Sequence, residues 1–325
     1  MKAVIVRAEG GPENLAIEQV LDPVPGAEDI LIRTHGVGLN NADLLQRRGL
    51  YPPPQGASPL MGLEVSGEVI ATGANVTRWK KGDRVMALLA GGGYAEQVAV
   101  HERLAMPLPD GLDYVAAAGI PEAFLTAWLE LVTLGEIKAG DAVLIHAGAS
   151  GVGTAAIQIV KALGAKAYIT AGSSEKIQRC LELGADLGIN YKTESFDARI
   201  LAETEGAGVN CILDLVGASH WEKNIRSLGI GGKLLLVGLG GGRKAELDLG
   251  PLLSKRITVI GSTLRSRPLH EKAALVEDFT RRAIPLFTEG KLKPIIDQSF
   301  AFDQVIDAHR YIEKQTNFGK VVLTL

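Results

Sequence analysis

Residues 144–165 read LIHAGASGVGTAAIQIVKALGA, and the fold turns on this stretch. Its front is apolar and its middle glycine-rich. Its back has the residues of a helix, from Val152 to Leu163. A strand that passes through a tight turn into a helix is the setting in which a dinucleotide is held. Gly148, Gly151 and Gly153 let the backbone come close to a pyrophosphate. The helix start at Gly151-Val152-Gly153 offers unpaired N–H groups and a partial positive charge. Ser150 stands where the usual spacing has glycine, and its hydroxyl is a further donor. The plainer alternative is a strand-to-helix turn with no ligand.

Working downstream, the pattern alternates. KAYIT is a strand and SEKIQRCLEL a helix; DLGINY, VNCILDLV and KLLLVGL are strands, the last two around a helix in HWEKNIRSL; KRITVIGS is a sixth strand with an open edge. Nearly continuous apolar strands alternating with helices make a doubly wound parallel sheet. We place this domain at 123–264 and the class as α/β. Upstream, KAVIVR, ILIRTHGVGL, VSGEVIATG, DRVMALL and YAEQVAVH are β-rich runs separated by turn residues, the pattern of a β-barrel or open sandwich. Gly91-Gly92-Gly93 reads as a flexible loop, and PEAFLTAWLELVTLG as one helix opening on Pro121. After 264 come two helical stretches and the strand GKVVLTL, too little for a third domain. They are expected to pack on the first domain, giving 1–122 with 265–325.

The second strand of the series ends in Thr170-Ala-Gly172-Ser173-Ser-Glu-Lys176. An NAD site usually places an acid there for the ribose 2′-hydroxyl. None stands at the tip, which leaves room for a 2′-phosphate, with Ser173 as donor, Lys176 as counter-charge and Tyr191 beside the ribose. NADPH is therefore expected. Alternatively, Ser173 or Ser174 caps a helix, Lys176 is a solvated surface residue and Glu175 weakly favours NAD. Gly217, Gly238-Leu239-Gly240 and Leu264 follow later strands, where ligands of such sheets bind.

Composition removes other classes. With 325 residues, 46% hydrophobic and 22% charged, this is an ordinary globular chain, and a net charge of −3 gives no basic excess for nucleic acid. Two cysteines support neither a disulfide framework nor a four-ligand zinc site. Residues 142–160 lack formal charge, but their glycines and polar residues suit a strand–turn–helix better than a membrane span. MKAVIVRAEGG is too soon charged for a signal peptide, so a cytoplasmic location is expected. Ser150 lacks the Gly-x-Ser-x-Gly elbow of a charge-relay hydrolase.

The order β-domain, doubly wound domain, short return resembles the medium-chain dehydrogenase/reductase superfamily, which implies a GroES-like catalytic domain joined to a Rossmann domain. Zinc members carry Gly-His-Glu; here the stretch is Gly62-Leu63-Glu64, and no cysteine lies in Gly38-Leu-Asn40-Asn-Ala-Asp43. The resemblance therefore implies no metal. Gly140, Asp141, Leu144, Gly151, Gly153, Gln158 and Lys161 are similar to the signature of the zinc-free quinone oxidoreductases, the zeta-crystallin group. GGPENL, LNNADLLQRRGLYPPP, IPEAFLTAW, IHAGASGVGTAAIQ, TAGSSEK, INYK and HWEKN resemble its p53-inducible branch more closely, including the serine in the turn.

That resemblance implies NADPH-dependent reduction of quinones. It puts Asn40 near the nicotinamide, has Asp43 orient its neighbours, and makes Tyr51 a hydrogen-bond or proton donor. Thr126 and Asn317 are the implied further cofactor contacts. Each has a plainer alternative: Asn40 and Asp43 in a local turn, Tyr51 as a surface aromatic, Thr126 bonded to the preceding turn. It also implies a homodimer paired through the sixth strand. Two rivals are an enone or alkenal double-bond reductase of the same superfamily and a non-catalytic NADPH-binding protein.

Overall fold

A computed structural model describes residues 1–325. The chain forms two compact units, Met1–Leu125 with Leu264–Leu325, and Thr126–Thr263.

In the first unit, β1 (Lys2–Val6) and β2 (Leu15–Gln19) form an antiparallel pair. The main sheet uses β3 (Asp29–Leu39), β4 (Glu64–Thr72), β5 (Arg84–Leu88), β6 (Gln97–His101) and β7 (Ala105–Pro107). β14 (Ile296–Ala301) and β15 (Lys320–Thr324) join it. β3 organises this sheet. One of its edges pairs with β4; the other is shared, Asp29–Arg33 with β6 and Gly36–Leu39 with β15. Alternate residues of β3 and β4 face inward, so Ile30, Ile32, Val65 and Val69 are wholly buried, while β5 is covered on both faces and buries the consecutive Val85 and Met86. Helices α1 (Asn41–Arg47), α2 (Tyr114–Ala117), α9 (Leu269–Arg282), α10 (Ile284–Thr288) and α11 (Val305–Glu313) also belong here. α3 (Pro121–Trp128) begins in this unit and ends in the second.

The second unit holds β8 (Ala142–Ile145), β9 (Lys166–Ala171), β10 (Leu187–Asn190), β11 (Val209–Asp214), β12 (Leu228–Leu236) and β13 (Thr258–Gly261). They form one parallel sheet in the order β10-β9-β8-β11-β12-β13. The sheet is a six-stranded, doubly wound Rossmann arrangement. Its order reverses between β8 and β11, the place where such sheets bind ligands. Leu144, Tyr168, Ile189, Ile212 and Leu234 supply one residue from each of five strands to a common layer, and α6 (Phe196–Glu203) and α7 (Trp221–Ser227) cover it. α4 (Gly151–Ala162), α5 (Ser174–Glu182) and α8 (Gly250–Ser254) complete the unit.

Three expectations change. The helix from Pro121 is regular only to Trp128; Leu129–Leu134 winds as a π-helix. Gly91–Gly93 is a pinned segment rather than a loose loop. Gly92, Gly93 and Tyr94 donate to the carbonyls of Leu60, Gly62 and Met61, and a Cβ on Gly91 would lie 2.5 Å from the Ser58 carbonyl oxygen. Lastly, the return segment contains the unforeseen strand β14, an edge strand parallel to β15. No helix is long and apolar enough to cross a membrane.

Candidate active site

The first unit concentrates its buried charge where β3 runs into α1. Asn40 ends the extended backbone, and the Asp43 carboxylate accepts from Asn40 N at 2.8 Å, the return arm of a capping box. Asp43 also accepts from Gly62 N (3.2 Å). It is buried, so its part is to fix the α1 start against the Gly62 turn. The Asn40 amide donates to Glu64 Oε1 (2.9 Å) and the Gly38 carbonyl (3.2 Å), and its Oδ1 accepts from Lys320 Nζ (2.6 Å). Lys320 gives its remaining hydrogens to Glu64 Oε1 (2.5 Å) and the Leu39 carbonyl (2.8 Å). Glu64 Oε2 accepts from Glu122 N at the start of α3 (2.8 Å). Leu63, buried beside Glu64, offers no ligand atom.

A second chain of hydrogen bonds backs Asp43. Arg47, fully buried, can only donate, so its Nη1 fixes His309 Nδ1 as acceptor (3.0 Å). His309 then donates from Nε2 to Tyr94 Oη (3.1 Å), and Tyr94 donates to Asp43 Oδ2 (3.3 Å). Burial first, then the Arg47 charge, lowers the His309 pKa to about 3. Burial raises Asp43 to about 6. Tyr51 lies in the same unit under the Arg265 guanidinium, 5.1 Å from its ring centre. Arg265 donates to the Tyr51 carbonyl (3.1 Å), the Ala90 carbonyl (2.9 Å) and Gln46 Oε1 (2.6 Å), so this loop residue is held from three segments. Burial, and then the Glu122 charge, raises the Tyr51 hydroxyl above its ordinary pKa.

In the second unit the glycine turn leaves β8 through Ala147 in a left-handed conformation (φ 52°) and enters α4. Ser150 is the N-cap, its Oγ accepting from Gly153 N at 3.0 Å. Its O–H stays able to donate, and the Gly151 and Val152 N–H groups open the helix. A Cβ on Gly153 would sit 2.4 Å from the Ala147 carbonyl oxygen, so glycine here lets the helix pack on its own entry loop. Gly148 lies against Ile169 of β9.

At the β9 tip, Ser173 caps α5 by accepting from Lys176 N (3.3 Å). The position of a Cβ on Gly172 lies 3.0 Å from Tyr191 Oη, so Gly172, Ser173, Lys176 and Tyr191 form one patch. Gly217 has φ 87°, and a Cβ on it would lie within 3.1 Å of both the Gly238 carbonyl oxygen and the Leu239 side chain. The loops after β11 and β12 therefore meet there; a Cβ on Gly240 would make only an ordinary contact, 3.7 Å from the Leu215 carbonyl oxygen. Thr126 is buried on α3. Leu264 and Asn317 belong to the first unit, where Leu264 is buried and the Asn317 amide donates to the Gly319 carbonyl (2.8 Å).

Under these loops runs a buried network. Thr170 pairs with His146 Nδ1 (2.9 Å), His146 Nε2 with Asn224 Oδ1 (2.7 Å), and Asn224 donates to Asp214 (3.0 Å). Asp214 in turn accepts from Val216 N (2.7 Å) and Gly217 N (3.0 Å). Burial lowers the His146 pKa to about 4, which keeps the ring neutral. The network ties the carboxyl ends of β9, β8 and β11 together.

Sequence reading missed Glu64, Lys320, Glu122 and Arg265. Their signal was a charged residue inside an apolar run, as in MGLEVSGEV and GKVVLTL, but the partner lies far away in the chain.

Residues 26–110 match the model of the alcohol dehydrogenase GroES-like domain, and residues 151–281 that of the zinc-binding dehydrogenases. A quinone oxidoreductase of Pseudomonas aeruginosa is 34% identical, with 99% of each chain covered. The crystal structure of Escherichia coli quinone oxidoreductase complexed with NADPH superimposes with a TM-score of 0.90 at 30% identity, covering 100% of both chains. That of an NAD-dependent alcohol dehydrogenase gives 0.88 at 32%, again over 100% of both.

Proposed function

Because the chain belongs to the quinone oxidoreductase family of medium-chain dehydrogenases/reductases, we propose that it is a zinc-independent NADPH:quinone oxidoreductase. The observation that carries the zinc-independent part is Leu63, buried where zinc members of the superfamily present histidine. No group of His, Cys, Asp and Glu elsewhere is disposed to hold a metal ion. Resemblance in the turn and in the Leu39–Pro54 segment supports the p53-inducible branch.

The second unit suits the cofactor. The α4 start, with Ser150, Gly151, Val152 and Gly153, would receive the pyrophosphate. Gly172, Ser173, Lys176 and Tyr191, with no carboxylate at the β9 tip, would receive the 2′-phosphate. Bound NADPH supplies hydride from nicotinamide C4. In the first unit, Asn40 is held in one orientation by Lys320 and Glu64, which suits a residue that fixes a nicotinamide or substrate oxygen. Tyr51 provides a hydroxyl donor. Reducing a quinone builds a phenolate-like oxygen, with a conjugate-acid pKa of about 10 by analogy with tyrosine. Such charge needs far less Lewis-acid help than an alkoxide, so positioning by these residues can replace a metal.

The test follows nicotinamide absorbance with chelator-treated protein, 1,4-benzoquinone and either NADPH or NADH. Fast NADPH oxidation that ignores the chelator is expected, with Lys176→Glu weakening NADPH at least about tenfold relative to NADH, as loss of a phosphate counter-charge should. NADPH binding without quinone turnover would sink this reading; enone reduction or a purely binding role would then be the next to assay.

A further inference from the structure

Glu122 is the group in the first unit whose chemistry is unaccounted for. It lies in the first turn of α3, where a carboxylate ordinarily serves as a counter-charge to the helix N-terminus. Glu64 already has that position, since its Oε2 accepts from the backbone N–H of Glu122 (2.8 Å). The other Glu64 oxygen is taken by Lys320 (2.5 Å) and Asn40 (2.9 Å). The three hydrogens of Lys320 are in turn committed to Glu64, Asn40 and Leu39. A second negative charge next to Glu64 would therefore find Lys320 already committed, and neither Arg265 nor Lys272, the other cations facing it, donates to it. Glu122 Oε2 is buried and has no hydrogen-bond partner. A buried, unpartnered oxygen is costly as a carboxylate and much cheaper as the O–H of a neutral acid.

The groups facing Glu122 come from several elements. They are Glu64 on β4, Lys320 on β15, Asp43 on α1, Arg265 after β13, Lys272 on α9 and Tyr51 after α1. Desolvation dominates, the Glu64 charge adds to it, and together they raise the Glu122 pKa to about 8 against the opposing Lys320 and Arg265.

We propose that Glu122 is the acid of this site: a neutral carboxyl whose free O–H supplies the proton taken up by the reduced substrate oxygen. The proposal rests on the quinone-reductase reading. Two-electron reduction delivers both electrons with the hydride, which leaves the product one proton short. The Glu122 O–H bond breaks, the product O–H bond forms, and the electron pair stays on the Glu122 carboxylate. A proton from solvent restores the acid before the next turnover. An acid of this strength can protonate a phenolate-like oxygen, and it would be fully charged and useless for that purpose if it were an ordinary surface glutamate.

Two measurements on the full-length protein test it. The first is the pH dependence of kcat/KM for 1,4-benzoquinone with saturating NADPH. Wild type should fall above about pH 8, and Glu122→Gln should lose that inflection. The variant should be about a hundredfold slower at pH 7, with its NADPH Kd and Tm unchanged. A variant that keeps both the rate and the inflection overturns the proposal. The second is independent of turnover: infrared difference spectroscopy on wild type with carbon-13-labelled glutamate, titrated from pH 6 to 10. A protonated-carboxyl band that disappears near pH 8 is expected. Absence of that band at pH 7 overturns the proposal even if Glu122→Gln fails to fold. A band present in an enzyme that does not turn over quinones would leave Glu122 protonated while removing the quinone reading and, with it, the role proposed here.

Discussion

Lys320 donates to three acceptors, and both it and Glu64 are excluded from water. Removing one partner from such a pair leaves the other charge buried and uncompensated, which costs about 3–5 kcal/mol. Lys320→Met should lower the unfolding free energy by that amount in urea denaturation. A loss under about 1 kcal/mol would mean that Glu64 simply takes a proton or reaches water. At this scale the sequence was least legible. Asn40 and Asp43 stood out because they share a short polar segment, but their partners did not. Leu39 and Lys320 are 281 positions apart, and no local pattern announces a contact of that range. Asp43 accepts from Asn40 N and Gly62 N, and the Asn40 amide binds Glu64 and Lys320 across strands as well as its own turn.

Among elements, α4 joins structure to the cofactor reading most directly. Ser150→Ala removes the hydroxyl that accepts from Gly153 N and should cost about 1 kcal/mol, seen as a small fall in Tm. Gly153→Ala is the harsher change, because the new Cβ would meet the Ala147 carbonyl oxygen at 2.4 Å and neither backbone can give way cheaply. It should displace the turn and lower NADPH affinity more than about tenfold, whereas Ser150→Ala, which removes one hydroxyl donor and leaves the Gly151 and Val152 N–H groups in place, should cost less. Unchanged NADPH affinity in Gly153→Ala would argue against the turn as the pyrophosphate cradle. β8, the turn and α4 were readable because strand, glycines and helix follow one another without interruption. α1, α6 and β14 were not. α1 hides in a segment that also reads as a polar turn, and α6 is eight residues with only one buried stripe. β14 is an edge strand whose Asp, Gln and Ser residues carry no apolar run, and its strand character comes from pairing with β15.

For the molecule as a whole, division into a β-rich unit and a parallel-sheet unit was legible, because the two halves differ in hydrophobic period. The sheet of the second unit ends on β13, whose outer edge is unpaired and whose Val259 is 39% exposed. An uncovered apolar edge invites either pairing or aggregation, and a homodimer built on this edge remains our expectation. Sedimentation equilibrium at micromolar concentration should give a dimer for wild type and a monomer for Val259→Lys. A monomeric wild type would remove the dimer and leave β13 as an edge to be blunted in some other way.

The position of β15 also bears on how a ribosome makes this protein. The second unit is one continuous segment, Thr126–Thr263, so every strand of its sheet can emerge and pair before later residues exist. The first unit cannot finish so early. β15 lies between β14 and β3 in the interior of its sheet, and it brings the ammonium that neutralises Glu64. Until that strand emerges, β3 keeps half of one edge open and Glu64 has no cation. The domain begun first is therefore completed last, and during synthesis the β3 edge is the surface that a chaperone would have to guard.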